Sequence, residues 1–135
     1  MAPAGYSGTP LAQKLSLKPG LRAWFDAMPA DVRAEIGNVG IIELAAPDAP
    51  LDAAHIFVTE RADMTAKLDR LRPLLAPTGF IWVSWPKRAS KVATDITEDI
   101  IRAVILPTTD LVDVKVCAVD AVWSGLKLMI RKGAR

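Results

Sequence analysis

The sequence has little of the chemistry on which exported and metal-dependent proteins rely. Its 135 residues include one cysteine and one histidine, which excludes an internal disulfide, a multi-cysteine zinc site and a histidine-rich metal site. No apolar run approaches the roughly 20 residues of a membrane-spanning helix. The amino terminus also lacks the basic and apolar stretches of a signal peptide. We therefore expect a cytoplasmic protein with no metal site and no membrane partner.

An excess of charge of one sign is also absent. The net charge is +2, and the basic residues are neither dense nor interleaved with stacking aromatics, so no nucleic-acid partner is expected. The hydrophobic share is 51% over 135 residues, which predicts one compact domain, residues 1–135. Residues 1–20 are expected to form an amino-terminal segment whose short helix packs on that domain.

Short apolar runs alternate with amphipathic stretches along the chain. The runs at 21–25, 40–45, 53–58 and 80–85 predict strands, and helices are expected between them. This alternation is typical of a three-layer α/β fold, in which helices cover both faces of a mostly parallel sheet. Residues 112–116 and 126–131 instead alternate with period two and predict a terminal antiparallel hairpin.

Three positions along the chain are candidates for helix boundaries. Thr59 is placed to cap the helix that follows it, and Asp95 with Glu98 three residues later resembles a capping box. Pro107 is expected to end that second helix.

The order of elements resembles that of the class I S-adenosylmethionine-dependent methyltransferases. The stretches that carry the resemblance are Lys18-Pro19-Gly20 before the first strand, Asp52 to Val58, Leu75 to Val83, and the terminal hairpin. The resemblance implies a Rossmann-like sheet of order 2-1-3-4-6-5 with the sixth strand antiparallel.

The chain also resembles a family of short uncharacterised bacterial proteins. This resemblance lies in residues 5–11, 85–87, 94–99, 114–120 and 123–126. It implies no particular catalytic or binding residue, so the catalytic residues are left unassigned.

One departure from the methyltransferase pattern concerns the turn after the first strand. That turn is glycine-rich in these enzymes, whereas here it is Asp26-Ala27-Met28-Pro29-Ala30, and no glycine lies between Gly20 and Gly37. Glycine takes positive φ without strain, and proline removes an N–H donor. The sequence therefore predicts no cofactor, and a methyltransferase with an atypical turn is the alternative. Glu43 and Asp48, where such enzymes keep an acid for ribose hydroxyls, are interpreted as surface charges.

The loop after the fourth strand is the main candidate site. Its cations and hydroxyls follow a strand end and lead to a helix N-terminus, where an anion is favoured. The candidate residues are Lys87, Arg88, Ser90, Lys91 and Thr94. The main hypothesis is therefore a non-catalytic domain that binds a small anionic ligand or a protein partner through residues 85–91.

Several further residues have alternative interpretations. Trp85 and Trp123 are candidates for stacking on a planar ligand, and Tyr6 and Ser7 for folding over the same sheet edge. His55 is either a general base or, more simply, a core residue. Cys117 is expected on the face of Asp113 and Lys115, and Lys115 would favour its thiolate. The second alternative function is a structural module that forms a homodimer through the exposed edge hairpin.

Overall fold

The computed structural model describes residues 8–135. The helices are α1 (Leu11–Lys14), α2 (Ala30–Ile36), α3 (Arg61–Leu71) and α4 (Glu98–Thr108). The strands are β1 (Arg22–Asp26), β2 (Ile42–Glu43), β3 (Leu51–Phe57), β4 (Leu75–Pro86), β5 (Leu111–Ala118) and β6 (Trp123–Ile130). None of the helices in this part of the chain is long and apolar enough to cross a membrane.

The six strands form one sheet in the order β2-β1-β3-β4-β6-β5. The first four strands of this order are parallel, and β6 runs antiparallel to both β4 and β5. The predicted three-layer Rossmann-like fold and its strand order are therefore confirmed.

The apolar side chains form two layers, one on each face of the sheet. Helices α3 and α4 cover one face, with Met64, Leu68, Ile101 and Ile105 buried against Ile56, Ile81, Val83 and Leu126. Helices α1 and α2 cover the other face, with Leu11, Leu15, Val32 and Ile36 packed near Phe57, Phe80 and Trp82. The nearly uninterrupted apolar runs of β3 and β4 follow from this burial on both faces.

The helix boundaries differ from those expected. The side chain of Thr97 caps α4 by accepting from the Ile100 amide at 3.1 Å, and Asp95 does not. The Asp95 carboxylate instead accepts from the Arg61 amide at 2.6 Å, so it caps α3 from 34 residues away. Pro107 lies within the last turn of α4 rather than ending it.

A β-bulge changes the faces of the edge strand β5. Asp113 lies opposite Leu128 and Lys115 lies opposite Lys127, so the register shifts between them. Because neighbouring residues of β6 point to opposite faces, Asp113 and Lys115 do so as well. Cys117 therefore shares a face with Lys115 but not, as expected, with Asp113.

Candidate functional site at the carboxyl edge of the sheet

The carboxyl ends of the parallel strands meet at one edge of the sheet, where open α/β folds bind ligands. Strand β1 ends there at Asp26, β2 at Glu43 and β3 at Phe57. The turn from β1 into α2 and the residues after β2 therefore lie side by side. They present carboxylates, a guanidinium group and backbone amides at this edge.

The turn after β1 takes a conformation that the sequence argument did not expect. Ala27 has φ +55°, in the left-handed region that glycine usually occupies. For a non-glycine residue this region costs roughly 1–2 kcal/mol of conformational free energy. Packing of the surrounding residues offsets that cost. The absence of glycine from residues 21–36 thus does not prevent a glycine-like turn at this position.

Asp26 is anchored at the end of β1. Its carboxylate forms an ion pair with Lys67 of α3, and the same ammonium group donates to Asp63 at 2.9 Å. Burial alone would lower the pKa of Lys67, but the hydrogen bonds to the two carboxylates outweigh it and raise that pKa. Asp26 therefore fixes α3 against the edge.

Glu43 lies at the end of β2 in a two-pronged ion pair. Arg33 of α2 donates to both of its carboxylate oxygens, at 2.7 and 3.0 Å. The hydrogen bond to Arg33 holds the pKa of Glu43 below its usual range. The guanidinium carbon also lies 5.7 Å from the centroid of the Phe25 ring. These side chains line a hollow of about 160 Å³ with Met28 and Val39.

His55 lies behind this edge rather than on it. It is 2% exposed, its ring stacks on Phe57 at 4.3 Å between centroids, and its Nε2 is 2.7 Å from the Ser84 hydroxyl. Burial lowers the pKa of His55 to about 3. The ring is neutral and enclosed, which is the arrangement of a core histidine.

The hydroxyls and Lys87 of the predicted anion loop make internal hydrogen bonds. The Ser90 hydroxyl donates to the Lys87 carbonyl at 2.6 Å, and the Thr94 hydroxyl to the Thr59 carbonyl at 2.6 Å. The Lys87 ammonium donates to the Asp120 carbonyl, in the turn of the terminal hairpin. Arg88 and Lys91 do line a common hollow of about 350 Å³ with Thr94. The structure therefore brings Arg88, Lys91 and Thr94 together, whereas the ammonium group of Lys87 is bound at the terminal hairpin.

The two candidate stacking tryptophans do not share one surface. Trp85 is 8% exposed and belongs to the core layer under α3 and α4. Trp123 packs against the opposite layer, with its ring edge-on to Phe57 at 5.2 Å.

The remaining candidates are placed as follows. Burial raises the pKa of the Cys117 thiol, although Lys14, Lys115 and Lys87 oppose the shift, and the thiol is buried. Asp48, in the loop between β2 and β3, forms an ion pair at 3.4 Å with Arg22, the first residue of β1, and so lies away from the carboxyl edge. Tyr6 and Ser7 lie outside the described residues. Within residues 8–135 no group of three or more histidine, cysteine, aspartate or glutamate residues is arranged to hold a metal ion.

Sequence reasoning missed two features of this edge. The pairing of Arg33 with Glu43 joins residues ten apart on different elements, which no periodic pattern indicates. The left-handed Ala27 is not expected from the sequence, because glycine is the residue that takes positive φ without strain. The signal that was available is Pro29, which fixes the start of α2 at Ala30 and so leaves few residues to turn the chain.

Comparisons with known proteins show the fold. No family model and no curated protein matches the sequence. Among solved structures, the ribosomal protein L11 methylase from Lactobacillus delbrueckii subsp. bulgaricus matches with a TM-score of 0.54 and 10% identity, over 90% of this chain and 75% of that one. The N-methyltransferase NodS from Bradyrhizobium japonicum WM9 matches with a TM-score of 0.53 and 15% identity, over 93% and 99%.

A third similar structure has the cofactor in place. Fibrillarin from Aeropyrum pernix, solved with natively bound S-adenosyl-L-methionine, matches with a TM-score of 0.53 and 13% identity, over 93% of this chain and 70% of that one. Identities this low establish a shared methyltransferase-like fold and nothing finer.

These neighbours correct two predictions made from the sequence. The main hypothesis of a non-catalytic anion-binding domain is contradicted, because the neighbours are methyltransferases and favour the alternative. The prediction that no cofactor binds is contradicted as well, because a protein of the same fold holds S-adenosylmethionine.

Proposed function

We propose that this chain is a methyltransferase that binds S-adenosylmethionine across the carboxyl ends of β1 and β2. The observation that carries the proposal is the left-handed turn at Ala27, directly after the carboxyl end of β1. The strand order and the antiparallel β6, both seen in the structure, support it.

The residues at this edge suit the chemical groups of the cofactor. The Glu43 carboxylate offers acceptors for ribose hydroxyls, and the Arg33 guanidinium offers donors for the cofactor's carboxylate. The hollow between them, about 160 Å³, is below the roughly 300–1,000 Å³ of enclosed ligand sites. The cofactor would therefore lie along the open edge, with only part of it in the hollow.

We expect the side chains of this protein to hold the cofactor and the methyl acceptor in position, without taking part in the reaction as acid or base. When bound, the cofactor supplies an electrophilic methyl group on a positively charged sulfur. His55 and Cys117 are both buried, so neither is placed to take a proton from a methyl acceptor at the edge. Holding donor and acceptor in line is itself a large source of rate enhancement, and it requires no such base.

Isothermal titration of the full chain with S-adenosylmethionine and with its demethylated product tests the proposal. We expect saturable binding of both, weakened about tenfold by Glu43→Gln, since a hydrogen bond to a charged group contributes about 1.5–3 kcal/mol. Ala27→Gly should bind at least as well as the unmodified protein, because glycine relieves the left-handed strain.

The matched control is Glu35→Gln, which makes the same chemical change at an exposed position of α2. This variant should bind as the unmodified protein does. The absence of heat with either ligand at high protein concentration would overturn the proposal, and so would an equal loss of binding in Glu35→Gln and Glu43→Gln.

A further inference from the structure

A second hollow lies at the other end of the sheet, between α1 and the loop that leads into β2. Its volume is about 600 Å³, within the range of small-molecule sites. It lies beside Pro19 and Gly40, which precede β1 and β2, and shares only Asn38 and Val39 with the smaller hollow beside Glu43. Its apolar lining comes from Pro10, Ala12, Leu17, Pro19 and Val39.

One wall of this hollow is held by the backbone. The Gly20 amide donates to the Gly40 carbonyl at 2.9 Å and joins the segment before β1 to the segment before β2. Gly40 has φ +75°, and a Cβ added there would lie 3.2 Å from Cβ of Pro19. This wall is therefore closely packed, and the hollow is already open in the structure without any movement of the wall.

One lysine lines the hollow, and two more contact α1 and the residue pair that follows it. Lys18 is the one that lines the hollow, and the ammonium of Lys127 donates to the Ser16 hydroxyl at 3.0 Å. Lys127 also lies 4.6 Å from the centroid of the Phe80 ring. Lys115, beside it on β5, donates to the Lys14 carbonyl at 3.2 Å.

Within residues 8–135 these three lysines form no ion pair with a carboxylate, whereas five other cations do. Arg22, Arg33, Lys67, Arg72 and Arg102 all form ion pairs with carboxylates. No carboxylate in residues 8–135 forms an ion pair with Lys18, Lys115 or Lys127. Burial lowers the pKa of Lys127, and the charges of Lys115 and Lys18 lower it further. A bound anion would relieve this repulsion.

The backbone conformation of Ser16, which lines the hollow, is a further unusual feature of this site. It follows α1 with φ +62°, and the Leu17 amide donates to the Ala12 carbonyl at 2.9 Å. This is the helix-ending position at which glycine is usual, and a serine is strained there. A glycine here would have no hydroxyl group, and it is the Ser16 hydroxyl that accepts the hydrogen bond from Lys127.

We propose that this hollow binds an apolar molecule ending in a carboxylate. The apolar chain would lie against Ala12, Leu17 and Val39, and the carboxylate between Lys18 and Lys127. Apolar lining with a few converging polar groups is the usual composition of a small-molecule site. The lining of this hollow includes none of Met28, Arg33 and Glu43, so its test is distinct from that of the proposed cofactor site.

Decanoate, below the concentration at which it forms micelles, is a direct probe. In amide NMR spectra of the full chain we expect saturable shifts at Ala12, Leu17 and Gly40, which line this hollow and not the one at the carboxyl edge. Lys18→Met and Lys127→Met should each weaken binding about tenfold, the effect of losing a charged hydrogen bond. Methionine keeps an apolar stem of similar length, so packing on Phe80 is retained.

The controls distinguish the contribution of decanoate's apolar tail to binding from that of its carboxylate. Lys132→Met removes an exposed lysine near the carboxyl terminus and should bind decanoate as the unmodified protein does. Decanol supplies the tail without the charge, and acetate the charge without the tail, and both should bind at least tenfold more weakly. No saturable shift with decanoate, or equal binding of decanol, would overturn the proposal.

Discussion

At the scale of single residues, polar and strained groups occur where the fold holds them in place. His55 and Ser84 form a buried polar pair between β3 and β4, surrounded by aromatic rings. The pair satisfies hydrogen-bonding groups that would otherwise be costly to bury. Ala27 and Ser16 are strained but lie at the two candidate sites. What each of these four residues does therefore depends on residues that contact it from distant parts of the sequence.

The only histidine should make stability depend on pH. The pKa of His55 is about 3 in the folded protein and near 6.5 when it is exposed, so the unfolded chain binds the proton first as pH falls. The free energy of unfolding should therefore fall between pH 6.5 and about 3, by up to about 1.4 kcal/mol per pH unit from this group. Urea unfolding at a series of pH values measures it.

Carboxylates also titrate in this range, so His55→Gln is the necessary comparison. Glutamine retains hydrogen-bonding groups and does not titrate. We expect the unmodified protein to lose more stability than His55→Gln between pH 6.5 and 4. Parallel pH curves for the two proteins would show that His55 is not buried in its neutral form.

At the scale of elements, contacts between distant segments decide where helices begin and how the sheet ends. Asp95 caps α3 from the loop before α4. Arg102 of α4 holds Asp113 of β5 at 2.8 Å. The bulge after Asp113 directs Lys115 to the opposite face, and bulges and lysines both discourage edge pairing. The homodimer through this hairpin remains an untested prediction.

Removing the Asp95 carboxylate should destabilise the chain through α3. Loss of a helix cap costs about 0.5–2 kcal/mol, and we expect Asp95→Ala to lower the free energy of unfolding by about that amount. Denaturant unfolding measures it. Asp99→Ala is the control, because Asp99 is 98% exposed and should change stability by less than about 0.5 kcal/mol. Equal effects of the two substitutions would contradict the capping role.

At the scale of the whole molecule, the fold could be predicted because it depends on burial. Uninterrupted apolar strands require cover on both faces, and the alternating pair at 112–116 and 126–131 requires one solvated face. Those two patterns underlie the parallel sheet and its antiparallel edge. The resemblance to methyltransferases then supplied the order of the strands.

The candidate sites were harder to predict because they depend on tertiary context. The absence of glycine near Ala27 predicts that no cofactor binds, whereas it adds only a small conformational cost to the turn, which the fold outweighs. Lys18 and Lys127 are more than 100 residues apart, and α1 and β6 bring them together through Ser16. No local pattern reports such a contact.

Amide NMR with the demethylated cofactor product tests the central claim most directly, because it reports both whether the ligand binds and where. We expect saturable shifts at Ala27, Met28 and the residues after Glu43, with Leu17 and Lys18 unchanged. A spectrum that does not change, or that changes only around Leu17 and Lys18, would contradict a cofactor site at the carboxyl edge of the sheet.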